Sequence, residues 1–160
     1  MKGLTMLTRF LALAVGAGLM FTGSPAIAAD VTTATHVKHG VVETFVDVIP
    51  SCEGGGPRYN ITTTSTTLRH RTKFADGRIH VAFKSTGTFV ADPKNNPSLP
   101  SYTGKFTQSG GFNDNGQETN GTFTFSVRGS GTDGSSFRNQ STEHFDQRPD
   151  GSVHEFFHCH

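Results

Sequence analysis

The sequence His-Glu-x-x-His, which is the zinc-binding motif of many metalloproteases, occurs at His154, Glu155 and His158. In those enzymes the motif lies on a helix, where both imidazoles are one turn apart and reach one zinc ion. Here the segment follows the turn residues 149–151 and is short and aromatic, which predicts a β-strand. Four strand residues span about 13 Å, so we do not expect the two histidines to share a metal ion.

His158 and His160 form a second spacing of interest, since positions i and i+2 of a strand share one face about 6.6 Å apart. The register of the last hairpin would place either Glu143 or Thr142 opposite His158. Two exposed histidines without a ligand are the simpler interpretation. We therefore predict no metal site and no cofactor, with His158 and His160 as the residues to consider if a metal binds.

The elements that must position these side chains are β-strands. After residue 30, Thr, Ser, Phe and Val alternate with period two and glycine-containing turns separate the runs, whereas no stretch has helical periodicity. The predicted strands are Val41–Ile49, Arg58–Thr66, Thr67–Phe74, Arg78–Ala91, Tyr102–Phe112, Thr119–Gly131, Ser136–Gln147 and Ser152–His160. Closing the sheet into a barrel would bury the apolar faces of the strands and leave no unpaired edge strand. We predict an all-β fold, a closed antiparallel up-and-down β-barrel of about eight strands, with a β-sandwich as the alternative.

The Asp76-Gly77 turn sets the predicted register of one hairpin. A two-residue type I′ turn pairs Phe74 with Ile79. The candidates for the apolar lumen are then His70, Phe74, Val81 and Phe83, and the opposite face carries a basic strip of Arg69, Arg71, Lys73, His80 and Lys84. A three-residue turn with a bulge at Gly77 would instead pair Lys73 with Ile79 and bury charges, which is costly. We therefore predict the two-residue turn.

His70 is the one candidate for catalysis. A histidine inside a barrel suits acid–base chemistry or the orientation of a ligand, because a low-dielectric site shifts its pKa readily. The more ordinary interpretation is a core histidine with a hydrogen-bonded hydroxyl partner. The basic strip has two interpretations as well, a contact surface for an anionic wall polymer or a solvated sheet face.

Residues 1–28 have the parts of a secretory signal peptide. Lys2 and Arg9 give a positive start, residues 10–21 are apolar or glycine, and residues 26–28 supply small residues for cleavage after Ala28, or alternatively Ala29. Twelve such residues are too few to span a bilayer, which takes about 20. We predict a secreted protein with a single domain, residues 29–160, and no membrane contact after cleavage.

The charge balance bears on possible partners, and the two cysteines bear on a disulfide. The chain has 14 basic and 13 acidic residues, and this near balance gives no global argument for a nucleic-acid partner. In an exported chain the two cysteines, Cys52 and Cys159, are expected to form a disulfide. It would close a loop of about 100 residues, worth about 4–5 kcal/mol in the chain-entropy model.

Several turns resemble those of small secreted β-barrel proteins of high-GC Gram-positive bacteria. The motifs are Cys52-Glu53-Gly54, Asp76-Gly77-Arg78, Tyr102-Thr103-Gly104 and the segment 131–136, with a cysteine near the C-terminus. More distantly the chain resembles lipocalin and allene-oxide-cyclase barrels. The resemblance implies a barrel and no particular activity.

The function we expect is a secreted, non-enzymatic barrel that either holds a small apolar molecule or is simply a stable extracellular module, since barrels of about eight strands enclose one small ligand or are filled by their own side chains. One alternative is a barrel enzyme of the cyclase or isomerase type with His70 in the lumen. Another is a surface protein that binds the cell wall or a polyanion through the basic strip.

Overall fold

The architecture is a single antiparallel sheet of seven strands. The computed structural model describes residues 31–49, Cys52 and residues 55–160, so the predicted signal peptide and its cleavage site lie outside the described residues. The strands are β1 (Thr32–Val48), β2 (Arg58–Lys73), β3 (Ile79–Pro93), β4 (Tyr102–Asp114), β5 (Thr119–Gly131), β6 (Ser136–Gln147) and β7 (Val153–Cys159). Each strand pairs with the next one along the chain. The described residues include no helix long and apolar enough to cross a membrane. The prediction of an all-β antiparallel fold is confirmed.

The strand count differs from the prediction. The segments predicted as Arg58–Thr66 and Thr67–Phe74 form one continuous strand, β2, which ends at Lys73. Residues 61–73 contain no glycine, proline, asparagine or aspartate, and a run rich in β-branched residues favours one extended strand. The expected eight strands are therefore seven.

The prediction of a closed barrel is not supported. β1 and β7 occupy the two ends of the strand order, and no hydrogen-bonded ladder joins them in the described ranges. In an antiparallel meander with an odd number of strands, the first and last strands run in the same direction. Fusion of two predicted strands into β2 therefore removes the antiparallel partner that β7 would need at β1.

The predicted disulfide between Cys52 and Cys159 is confirmed, with 5.8 Å between the two Cα atoms. A flat sheet of seven strands would hold its edges about 29 Å apart at about 4.8 Å per strand. Cys52 lies four residues beyond the end of β1, and four residues reach about 14 Å at most. The sheet must therefore curl. We call its concave side the inner face, and its two ends the disulfide end and the open end.

The hydrophobic core lies on the inner face at the disulfide end. Its buried members are Ile49, Tyr59, Ile61, Phe89, Ala91 and Val127, with Phe45, Tyr102, Phe106, Phe125 and Phe137 packed against them. The aromatic residues include edge-to-face contacts, as in the T-shaped pair of Tyr59 and Tyr102 with ring centroids 5.6 Å apart. Burial raises the pKa of the Tyr59 hydroxyl, with smaller contributions from Tyr102 and Asp133.

The β2–β3 hairpin has the three-residue turn instead of the predicted two-residue turn. The Gly77 N–H donates to the Phe74 carbonyl (3.0 Å) and the Phe74 N–H donates to the Arg78 carbonyl (2.8 Å). Gly77 has a φ of 90°, which is typical of a three-residue turn with a glycine bulge. Lys73 therefore pairs with Ile79, and the predicted pairing of Phe74 with Ile79 is wrong.

The wrong prediction of this pairing follows from the assumption that the sheet closes into a barrel. In a closed barrel this register would bury Arg69, Arg71 and Lys73, but the sheet is open at this end and all three side chains stay exposed. The cost of buried charge therefore does not arise. A one-residue change of register moves every side chain of a strand to the other face, so the predicted inner and outer sets of β2 are exchanged relative to β3.

Aspartates stabilise this turn and two others of the same kind at the ends of the hairpins. Asp76, Asp133 and Asp150 each accept a hydrogen bond from the backbone N–H two residues later, at 2.8–3.1 Å. Hydrogen bonds from Arg78 and from Ser135 and Ser152 hold the pKa of these three carboxyls, respectively, below the ordinary range.

Candidate functional site

Two rows of cross-strand partners cross the inner face near the open end, and each changes from cation to aromatic to carboxylate. The first row is Arg69, Phe83, Gly110, Phe123 and Glu143. The second is Arg71, Val81, Phe112, Gly121, Phe145 and Glu155. Directly paired residues of antiparallel strands point to the same face. We call this surface the trough and define it by these two rows.

The floor of the trough is a series of phenylalanine rings in contact, Phe83, Phe123 and Phe145, which we call the phenylalanine stack. The ring centroids of Phe83 and Phe123 are 5.6 Å apart, and those of Phe123 and Phe145 are 5.5 Å apart with nearly parallel planes. Phe83 and Phe123 lie on strands separated by β4, and they meet because Gly110 stands between them. A Cβ atom on Gly110 would come within 2.8 Å of the Phe123 ring. Phe83 and Phe123 are only partly buried, whereas Val81 and Phe145 are buried, so the floor is open to solvent at the first row and largely covered at the second.

One wall of the trough is basic. Arg69, Arg71 and Lys73 project from β2 on the inner face and are exposed. Arg71 and Lys73 line a shallow cleft of about 110 Å³ together with Thr32, Thr33 and Ala34 of β1. Guanidinium and ammonium groups beside threonine hydroxyls suit an anionic group such as a carboxylate, sulfate or phosphate.

The opposite wall of the trough carries the carboxyl groups of Glu143 and Glu155. Glu143 is half-buried and its cross-strand partners are Phe123 and Phe157. Burial raises the pKa of the Glu143 carboxyl, and repulsion from Glu155 raises it further. Arginine remains charged at all physiological pH values. The wall formed by Arg69 and Arg71 is therefore the part of the trough that suits an anionic group.

His70, the predicted catalytic candidate, lies outside the trough. It is exposed on the outer face, where its Nδ1 atom is 2.9 Å from the Thr35 hydroxyl. Its cross-strand partner on β3 is Ala82. The prediction that His70 points inward is wrong, because the three-residue turn at Gly77 exchanges the faces of β2.

The other three predicted lumen residues do not form one set. Val81 is buried with 1% of its surface exposed, and Phe83 is half-buried in the trough. Phe74 is half-buried in the turn, where the Arg78 guanidinium lies 5.0 Å from its ring centroid. Val81 and Phe83 therefore share the inner face, while Phe74 belongs to the hairpin tip.

The predicted basic strip is divided between the two faces. Arg69, Arg71 and Lys73 lie on the inner face, whereas the side chains of His80 and Lys84 pair across the outer face with Thr72 and Leu68. The five residues therefore cannot form one contact surface. The same three-residue turn recurs at the x-Asp-Gly sequences that end in Gly134 and Gly151, with φ values of 84° and 81°.

A polar ladder crosses the outer face at the open end. The His80 Nδ1 atom lies 2.7 Å from the Asn113 side-chain oxygen, and the Asn113 amide donates to the Asn120 oxygen at 3.2 Å. These residues line a cleft of about 280 Å³ between the tips of two hairpins, beside Asp114 and Glu118. Their polar groups hydrogen-bond to one another, which fixes the relative position of the two tips.

The histidines of β7 are arranged as the strand prediction required. Residues 153–159 form a strand, so the metalloprotease interpretation of the His-Glu-x-x-His motif has no support. The rings of His158 and His160 have centroids 4.3 Å apart, and Thr142 rather than Glu143 pairs with His158. Among the described residues no group of three or more His, Cys, Asp or Glu side chains is placed to hold a metal ion.

No protein-family model, no curated protein and no solved structure matches this chain. The resemblance to small secreted β-barrel proteins stays a prediction.

Proposed function

We propose that this protein is a secreted, non-enzymatic binding protein that holds a small amphipathic anion in the trough. The observation that carries the proposal is the partly exposed pair of Phe83 and Phe123 rings, with Phe145 stacked against Phe123, on the same face as the guanidinium groups of Arg69 and Arg71. The apolar part of the ligand would lie on the Phe83 and Phe123 rings and its anionic group against the arginines. The disulfide is consistent with an oxidising compartment outside the cytoplasm.

Physical chemistry supports both halves of this ligand. Partly exposed aromatic rings gain free energy when an apolar chain covers them, at about 25 cal/mol per Å² of apolar surface removed from water. Arginine binds carboxylates through paired hydrogen bonds, and hydrogen bonds to charged groups contribute about 1.5–3 kcal/mol each. A long-chain carboxylate therefore fits the trough better than an uncharged or cationic molecule of the same length.

The head-group preference is testable by calorimetry with three ligands of equal chain length. We expect decanoate to bind more tightly than decanol, and decanol more tightly than decyltrimethylammonium, at about pH 8, where the carboxylate is ionised. In the double variant Arg69→Gln/Arg71→Gln, decanoate affinity should fall about 10- to 100-fold, because charge-assisted hydrogen bonds are lost. Decanol affinity should change little.

A matched control removes two cations from elsewhere. Arg58 and Lys84 are exposed and project from the outer face, so Arg58→Gln/Lys84→Gln lowers the net charge equally and should leave decanoate binding unchanged. The proposal fails if this control weakens decanoate as much as the trough variant does. It also fails if the ammonium ligand binds as tightly as the carboxylate.

A further inference from the structure

The outer face carries a row of three cations that the trough does not involve. Lys105 on β4 is the cross-strand partner of Arg128 on β5, and Arg128 is the partner of Arg138 on β6. All three side chains are exposed. Since neighbouring strands lie about 4.8 Å apart, positive charge repeats at that interval across three strands. We call these three residues the cation row.

The cation row has no acidic partner in the part of the chain that the structure describes. The salt bridges found there are Arg78 with Asp76 and Arg148 with Asp146, and both lie at hairpins of the open end. Like charges placed directly opposite one another destabilise a sheet. A local arrangement that opposes stability is typical of a functional site, and a bound anion would remove the repulsion.

The residues on either side of the cation row are suited to sugars. The cross-strand row on one side is Thr107, Ser126 and Gln140, and the row on the other side is Thr103, Ser130 and Ser136. These side chains offer hydroxyl and amide groups that both donate and accept hydrogen bonds. None of them is aromatic, although aromatic side chains are what single-stranded nucleic acids stack on.

We propose that the cation row binds a linear carboxylated polysaccharide, with carboxylates of the chain against Lys105, Arg128 and Arg138 and sugar hydroxyls meeting the flanking rows. A polysaccharide with many carboxylates along one chain can place several of them against these three cations at once. This site is on the opposite face from the trough, and the two are independent.

The test is binding of polygalacturonate by the secreted protein at low ionic strength. The triple variant Lys105→Gln/Arg128→Gln/Arg138→Gln should lower the affinity about tenfold or more, because charge-assisted contacts to three carboxylates are lost. Wild-type binding should weaken as salt is added. The same triple variant should unfold at a higher temperature than the wild type, because the like-charge repulsion is gone.

The matched control is Arg58→Gln/Lys84→Gln/Lys94→Gln, which removes the same charge from other exposed positions and should keep polygalacturonate binding. Equal loss in the two triple variants would show attraction by net charge alone and would overturn the proposal. Single-stranded DNA at the same charge concentration should bind more weakly than polygalacturonate. Tighter binding of the DNA would overturn the choice of a polysaccharide.

Discussion

Arg69 and Arg71 reach the trough because of one backbone position, Gly77. Its φ of 90° is a positive value that glycine adopts without a steric penalty, and it lengthens the turn by one residue. Every residue of β2 then exchanges faces relative to β3. Two guanidinium groups thus face the phenylalanine stack, and His70 faces solvent on the other side.

Glu143 gives a residue-scale prediction with a defined pH dependence. Burial and Glu155 raise its pKa in the folded protein, so the folded state favours the protonated form and this stabilisation is lost as pH rises through the raised pKa. Glu143→Gln should therefore raise the unfolding temperature at about pH 7. The difference should vanish below about pH 4, where the carboxyl is protonated in both states.

Thermal unfolding followed by circular dichroism from about pH 3 to about pH 8 measures this effect. Glu155→Gln is the control, because Glu155 is exposed and burial is the larger cause of the shift at Glu143. Its effect should have the same sign and be smaller. Destabilisation by Glu143→Gln near neutral pH would show instead that the ionised carboxylate has a stabilising partner, and the prediction would be wrong.

At the scale of strands, glycines and aromatic residues alternate across the inner face so that large rings fit inside a curled sheet. Gly110 allows Phe83 and Phe123 to meet across β4, and Gly121 lies where a Cβ atom would come within 2.7 Å of the Phe145 ring. The strand glycines of β4 and β5 therefore serve packing. Because Gly110 and Gly121 have no side chain, the neighbouring phenylalanine rings can contact one another.

Gly110→Ala should disrupt that stack. The added Cβ would clash with the Phe123 ring and with the Thr122 carbonyl, and overpacking of this kind costs about 1–3 kcal/mol. Urea unfolding measures the cost, and the variant should also bind decanoate more weakly. Ser109→Ala, the preceding position on the outer face, should change stability by less than about 0.5 kcal/mol. Equal effects at the two positions would contradict the packing role.

Most strands were predictable, although β1 begins at Thr32 rather than at the predicted Val41 and β2 is one strand rather than two. The register of the β2–β3 hairpin was not predictable. Alternation with period two marks β3, β4 and β5 almost residue by residue, since each of these strands has one largely apolar and one largely polar face. The sequence Ala75-Asp76-Gly77 suits both a two-residue and a three-residue turn. The choice between them depends on the cost of buried charge, and that cost depends on whether the sheet closes. Closure is a property of the whole molecule that the hairpin does not encode.

At the scale of the molecule, the disulfide does part of what a β1–β7 ladder would do. It joins the β1 edge of the sheet to the β7 edge at the disulfide end, where the core lies. The opposite end of the strands, where the trough lies, stays open. The buried residues of the core cluster are accordingly found toward Cys52 and Cys159, and the partly buried rings and exposed arginines of the trough are found toward the open end.

Removal of the disulfide should therefore weaken the whole sheet. Cys52→Ser/Cys159→Ser should lower the free energy of unfolding by about 4–5 kcal/mol, the value of the chain-entropy model for a loop of this size. Denaturant titration measures it, and the reduced wild-type protein should match the variant. A loss below about 1 kcal/mol would show that the unfolded chain is not constrained by this bond or that the ends of the sheet are held by other contacts.

The central claim is that the phenylalanine stack and the Arg69–Arg71 wall form one binding surface on the inner face. The most direct measurement is a set of isotope-filtered nuclear Overhauser effects between decanoate and the labelled protein. We expect contacts from the methylene chain to the rings of Phe83 and Phe123, with the carboxylate end shifting the guanidinium signals of Arg69 and Arg71. Contacts to His70 and Thr35 on the outer face, or no saturable binding at all, would contradict the claim.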